Sequence, residues 1–216
     1  EFFVKAIQRR QYKKYFPNAK KSFDEMHKKA AIIFMNTHIA GSTPRPTMPN
    51  VIDIGGIHIQ KDKELPKDIK SFIDSAEEGV ILFSMGAAIK SSQWPVEKRE
   101  VLLKTFAKLK QKVIWNYDSP SLPNMPENVM IKSKLSEYQH AILSHKNAKL
   151  FISHGGLVGV TEGFATAIPL LILPIFAHDQ KSNKAWIIEA GNGLHIDYSN
   201  ITEKSLTHAI HELLTN

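Results

Sequence analysis

Between the apolar run KLFIS (residues 149–153) and the helical spacing of VGVTEGFATA (158–167) stand His154, Gly155 and Gly156. Small residues opening a helix let backbone N–H groups approach an anion. The helix N-terminus adds partial positive charge, and an imidazole donates one more hydrogen bond. That is chemistry for a phosphate. The same residues also suit a plain strand-to-helix turn capped by His154, and the spacing is neither G-x-G-x-x-G nor a lysine-bearing phosphate loop. Further on, Asp179 and Gln180 set carboxylate acceptors beside an amide. They match vicinal sugar hydroxyls, or a helix N-cap supplied by Asp179. Glu162 falls one to two turns into the helix after His154, within reach of a ribose edge, or else solvated.

Other chemistries find less support. His208 and His211 are three apart on one helical face, and Glu212 follows. Their order matches neither H-E-x-x-H nor its inverse, and no third ligand is evident, so exposed helix polarity explains them better than a metal. The chain has no cysteine, which removes disulfides and thiolate metal sites. The net charge is +7, and residues 1–30 carry nine Lys and Arg against three acidic residues, so nearly all of the excess sits in one terminal segment. No nucleic-acid motif accompanies it, and it reads as a solvated helical face. No run has the length of a membrane span, and no apolar signal core opens the chain. The chain starts at Glu1 in a helical pattern and reads as a piece of a longer protein.

The elements that must position these residues follow from periodicity. Strand candidates are residues 51–56, 79–84, 112–117, 128–132, 149–153, 169–175 and 193–197. Helical periods lie between several of them, at 95–111, 137–145, 158–167, 181–191 and 202–214. Continuous apolar strands such as PLLILPI suit a parallel sheet covered on both faces. Strands alternating with helices predict a doubly wound, Rossmann-like α/β domain. Residues 1–30 read as helical, with a break near Pro17, and 31–37 as a strand candidate, so that residues 1–40 are helical plus one strand. The proline-rich stretch GSTPRPTMPN (41–50) is a stiff connector, and residues 51–216 are expected to form one sheet domain after it. In such a sheet ligands bind beyond the carboxyl ends of the strands. That selects the turns after Ser84, after Ser153 and near Phe176.

The stretch LFISHGGLVGVTEG…IPLLILPIFAHDQ resembles the donor-sugar signature of the UDP-glycosyltransferases. RPTMPNVIDIGGIHI, LPKDIKSFIDSAEEGVILFSMGA, QKVIW and AILSHKNAKLFISHGG are similar to further segments of that family, in the same order. The resemblance covers essentially the whole chain and is closest to insect members. It implies the C-terminal, donor-binding half of a two-domain GT-B fold. It implies that His154 and the backbone after Gly155 and Gly156 bind the diphosphate, Glu162 the ribose, and Asp179 and Gln180 the sugar. Gln139, with the turn at residues 136–138, would meet uracil and ribose. Met85, Gly86 and Ala87 would line the floor near the phosphate.

The resemblance further implies UDP-sugar, UDP-glucose or UDP-glucuronate, as substrate with no metal or other cofactor. The acceptor would be a hydroxyl on a small lipophilic molecule, as in detoxification, attacking the donor sugar with inversion. The parent would lie on the lumenal side of the endoplasmic reticulum membrane. The acceptor domain, which carries the family's His–Asp base, is missing, so no catalytic residue is expected here. The sequence departs from the family's pattern at several points. Ser136 replaces the usual Trp and Tyr138 the usual Pro; Ala87 stands where Ser is frequent, and Val158 where a polar or small residue is; His178 is an insertion before Asp179. Tyr138 offers a replacement aromatic face. The other reading is a degenerate Rossmann-like module with weak or no affinity for UDP-sugar.

Overall fold

The computed structural model describes residues 2–38, 41, 45–59 and 63–215. Two helices open the chain, α1 (Phe2–Tyr15) and α2 (Phe23–Lys28), separated at Pro17 as the sequence predicts. A capping box starts α2, with Ser22 and Glu25 satisfying each other's backbone N–H groups. Arg9 clamps Asp24 through two hydrogen bonds and so ties α1 to α2.

Strands β1 (Ile33–Met35) and β2 (Val51–Asp53) pair in parallel as a two-stranded sheet of their own. The expectation that residues 51–56 join the main sheet is therefore corrected. The short β2 is half-buried to exposed, and its edge is taken up by β1. The apolar spelling of VIDIGG reports a strand but not the sheet that receives it. Of the proline-rich connector, residues 42–44 lie outside the described residues; residues 45–48 form no helix or strand.

The main sheet has six parallel strands: β3 (Val80–Ser84), β4 (Lys112–Asn116), β5 (Val129–Lys132), β6 (Ala148–Ser153), β7 (Leu170–Ile172) and β8 (Gly193–His195), in the order β5-β4-β3-β6-β7-β8. This is the predicted α/β, doubly wound parallel fold. All five residues of β3 are buried, as a strand covered on both faces requires. Alternate side chains divide between two cores. Ile81, Phe83, Trp115 and Ile152 pack with Phe106 of α4 (Val96–Ala107) and Ile210 of α8 (Glu203–Thr215). Val80, Leu82, Ile114 and Phe151 face α3 (Lys67–Asp74), α5 (Gln139–Leu143), α6 (Leu157–Ala165) and α7 (His178–Glu189).

The sequence reading left α3 unassigned. Its signals were Pro66 at the N-cap and buried Ile69 and Ile73 four apart. The run at 169–175 yields only three strand residues, because Pro174 cannot donate to a ladder.

The strand order places the site. From β3 the chain adds β4 and then β5 to one side, and β6 returns to the other side of β3. The crossovers on the two sides diverge at that point, so a crevice opens beyond the carboxyl ends of β3 and β6. At the far edge, Gly193 of β8 lies against Leu170 of β7, and an added Cβ would collide with the Leu170 carbonyl oxygen. Gly193→Ala is expected to cost about 1–3 kcal/mol, the range for overpacking. Urea denaturation at constant m-value would show it, and an unchanged midpoint would refute it.

Candidate functional site

Two turns meet in the β3–β6 crevice. Beyond β3, Met85 is buried, Gly86 adopts φ +74°, and Ala87 is exposed. Beyond β6, His154 is half-buried, Gly155 has φ +85°, and Gly156 is the N-cap of α6. The His154 imidazole is packed between glycines. A Cβ on Gly86 would stand 2.8 Å from His154 Cε1, and one on Gly156 would overlap Nε2. Glycine at these positions is thus set by the ring between them as well as by the turns. Asn183 of α7 donates to the Gly155 carbonyl at 2.8 Å and locks the turn from the next helix.

Nδ1 of His154 is buried without a hydrogen-bond partner among the described residues. A proton there would be an unsatisfied buried donor, so the assigned tautomer carries its hydrogen on Nε2, the nitrogen open to the crevice. Burial lowers the pKa of His154, and the nearby charge of Asp179 opposes that in part. The ring is accordingly a neutral Nε2–H donor at neutral pH. It does not cap the helix: α6 begins with no side-chain cap, so its first N–H groups remain available.

Glu162 is 6% exposed and accepts from Gln139 Nε2 at 2.5 Å. Burial raises its pKa, with Gln139 pulling the other way. The alternative of a solvated Glu162 carboxylate is ruled out by this burial. Ser136 is exposed in the single 3₁₀ turn Leu135–Glu137. Tyr138 is half-buried, and Lys63 Nζ sits 4.8 Å from its ring centroid while bonding Glu137 Oε2 at 2.8 Å. Lys63 therefore occupies the aromatic face that Tyr138 was expected to offer.

At the start of α7, Ala177 is the N-cap and has no side-chain cap bond, so Asp179 is not the cap. His178 and Asp179 are exposed, while Gln180 is 3% exposed. Gln180 Oε1 accepts from the N–H groups of Ile175 at 2.8 Å and Phe176 at 3.3 Å. Its carbonyl oxygen thus holds the β7–α7 loop, leaving only its NH2 for a ligand. His208 pairs with Glu212 at 3.4 Å on the exposed face of α8, and among the described residues no group of three or more His, Asp or Glu is placed to hold a metal ion. Sequence reasoning missed Asn183 and Lys63. Asn183 follows Gln180 by three and shares its helical face, a usable signal; nothing in the sequence pairs Lys63 with Glu137.

An uncapped helix start, a clamped histidine and a buried carboxylate thus meet at the switch point of the sheet. Residues 2–216 match the family described as "UDP-glucoronosyl and UDP-glucosyl transferase", and the chain belongs to that family. UDP-glucosyltransferase 2 of Dactylopius coccus is 33% identical over 204 residues, covering 94% of this chain and 39% of that protein. UDP-glucuronosyltransferase 2B16 of Oryctolagus cuniculus is 33% identical over 196 residues, covering 90% and 36%. The crystal structure of the glycotransferase of kitacinnamycin superposes with a TM-score of 0.59 at 26% identity, over 76% of this chain and 40% of that one. The chain thus spans about two fifths of the length of these relatives, and its fold is that of GT-B glycosyltransferases.

The buried Glu162 makes a prediction about pH. Its folded pKa is raised, so the folded state binds more protons than the unfolded one across the window above the ordinary carboxylate range. Its contribution to stability is therefore lost as pH rises through that window. Glu162→Gln keeps the acceptor for Gln139 and removes the charge. The variant is expected to melt above the wild type at pH 7 and level with it at pH 4. A variant that melts lower at both pH values would contradict the assignment.

Proposed function

We propose that this chain is the donor-binding part of a UDP-sugar glycosyltransferase. The observation that carries the reading is the His154 ring held between Gly86 and Gly156 beside the uncapped start of α6. Diphosphate charge would be met by His154 Nε2–H and by the first N–H groups of α6, fixed donors aimed at an anion. Ionised Glu162 would accept from the ribose hydroxyls. Asp179, exposed at the start of α7, would accept from hydroxyls of the sugar, and the Gln180 NH2 would add a donor. Ser136, Gln139 and Ala87 complete the seat. With charge met by backbone and imidazole, this reading assigns no role to a metal. UDP-glucose and UDP-glucuronate are the proposed donors, and a small lipophilic hydroxyl compound is the acceptor.

The pairing of β1 with β2 supports our reading of the domain division. A two-stranded parallel sheet with Phe34 63% exposed is too small to stand alone. We assign β1 and β2, with the helices before them, to the end of the acceptor domain, and the stretch from α3 onward to the donor domain. The parent enzyme is placed in detoxification on the lumenal face of the endoplasmic reticulum. Among the described residues no helix is long and apolar enough to cross a membrane.

Transfer to a hydroxyl also needs a base within reach of the acceptor and a surface that holds both substrates together. His154 is engaged by the phosphate in this reading, and His178 stands on the donor side. The 216-residue chain is therefore expected to give no transfer to phenols or alcohols; robust turnover abolished by His178→Ala would overturn that.

A second reading, a fold retained with weak donor affinity, is favoured by one pair of observations. Ser136 offers no ring, and Lys63 covers the ring of Tyr138. Base stacking is worth about 1–3 kcal/mol. Calorimetric titration with UDP decides between them. In the donor-binding case His154→Ala weakens UDP by about 1.5–3 kcal/mol, Glu162→Gln weakens it as well, and Ser136→Trp strengthens it. Absence of binding up to about 10 mM UDP, unchanged by Ser136→Trp, establishes the degenerate case.

A further inference from the structure

On the opposite face of the sheet, α4 and the loop from Tyr117 to β5 enclose a second groove of about 350 Å³, remote from the donor residues. Leu103, Ala107, Leu122, Pro123 and Pro126 supply an apolar wall. Arg99 lines it as well. Its Nη1 donates to the hydroxyl of buried Tyr117 at 3.0 Å, its Nε is covered without a partner, and its Nη2 has no acceptor among the described residues. Among the described residues no carboxylate pairs with this guanidinium. Glu100, the acidic side chain at the rim, faces Lys104 at 3.6 Å, one helical turn along α4. A half-buried arginine without a counter-ion beside apolar walls is complementary to an anion with an apolar body.

The groove is also rigid. Prolines bound the loop, Asn124 holds φ +57°, and the Asn128 amide bridges the carbonyls of Phe106, Leu109 and Gln111 at the end of α4. Little ordering is left to oppose a ligand.

We propose that this groove is a binding site for a small monocarboxylate with an aryl or short alkyl body. Arg99 holds the carboxylate, and the Leu103–Leu122 wall holds the tail. With Nε covered and Nη1 bonded to Tyr117, the outer Nη1–Nη2 side of the guanidinium fits one carboxylate, whereas a phosphate dianion would meet too few donors. The site stands whether or not the crevice at His154 binds UDP.

The test is a titration of the 216-residue chain with sodium benzoate, followed by calorimetry and by backbone amide shifts. The expected dissociation constant is on the order of 0.1–1 mM for so small a ligand, with shifts at Leu103, Ala107, Leu122 and Asn124. Arg99→Gln is expected to weaken benzoate roughly tenfold or more, and benzyl alcohol to bind the wild type roughly tenfold more weakly than benzoate. Ala107 is exposed, so Ala107→Trp fills the groove without entering the core and is expected to abolish binding. Its circular dichroism confirms folding independently of Arg99. The proposal is overturned by equal affinity for benzyl alcohol and by shifts centred on Gly86 or Gly155. It is equally overturned by no saturation below about 10 mM benzoate.

Discussion

The approach of the β3 and β6 turns to one another governs the rest of the site. Where the winding of the sheet reverses, two strands end side by side and their exits part. His154 fills the gap between those exits. Its ring leaves no room for a side chain on Gly86 or Gly156, so a histidine, two glycines and an uncapped helix form one arrangement with a single geometry. Asn183 and Gln180 belong to the same arrangement from the α7 side, since one holds the Gly155 carbonyl and the other holds the loop that delivers α7. Preorganisation of this kind lets a neutral imidazole and backbone dipoles act on an anion without rearranging when it arrives.

That arrangement also explains which parts of the protein could be read from its residues. The main sheet was legible because a doubly covered parallel strand needs an apolar run, and β3, β6 and β7 carry VILF, LFI and LLI. The position of the site was legible because strand–glycine–helix turns occur where such strands end. His154, Gly155 and Gly156, whose turn rests on local chemistry, were singled out on that basis. Residues whose roles rest on contacts distant in sequence were not. Lys63 reaches Glu137 and Tyr138 across the chain; Gln139 and Glu162 were singled out, but not the bond that joins them between two helices. The burial of Gln180 was also hidden. A polar residue in the first turn of a helix looks exposed in sequence, yet here its oxygen serves two backbone N–H groups that the proline-bent loop leaves free.

The misplaced strand has a different cause. VIDIGG carries the same apolar spelling as the strands of the main sheet, and spelling does not encode the partner. The proline-rich stretch suggested a boundary, but β1 and β2 pair across it, so the stretch is an internal crossover. A parallel pair needs a long connection, and the connector supplies it within one unit.

The buried carboxylate shows what the fold gives up for its site. Glu162 is buried with one amide donor, and the nearby His58 and His140 oppose burial only in part. Burial favours its protonated form, whereas an acceptor of two ribose hydroxyls must be ionised to accept from both. A ligand that brings two donors would replace the hydration that burial removed, so ionisation would be favoured in the complex over the empty crevice. Part of the binding energy of the ribose would then be spent on shifting a proton equilibrium. Discrimination follows from the same term. A nucleotide lacking one of those hydroxyls would leave a buried charge half-satisfied, and the cost of an unmet partner exceeds the gain from a met one. The burial that weakens Glu162 as a structural residue is therefore what would make it selective as a binding one.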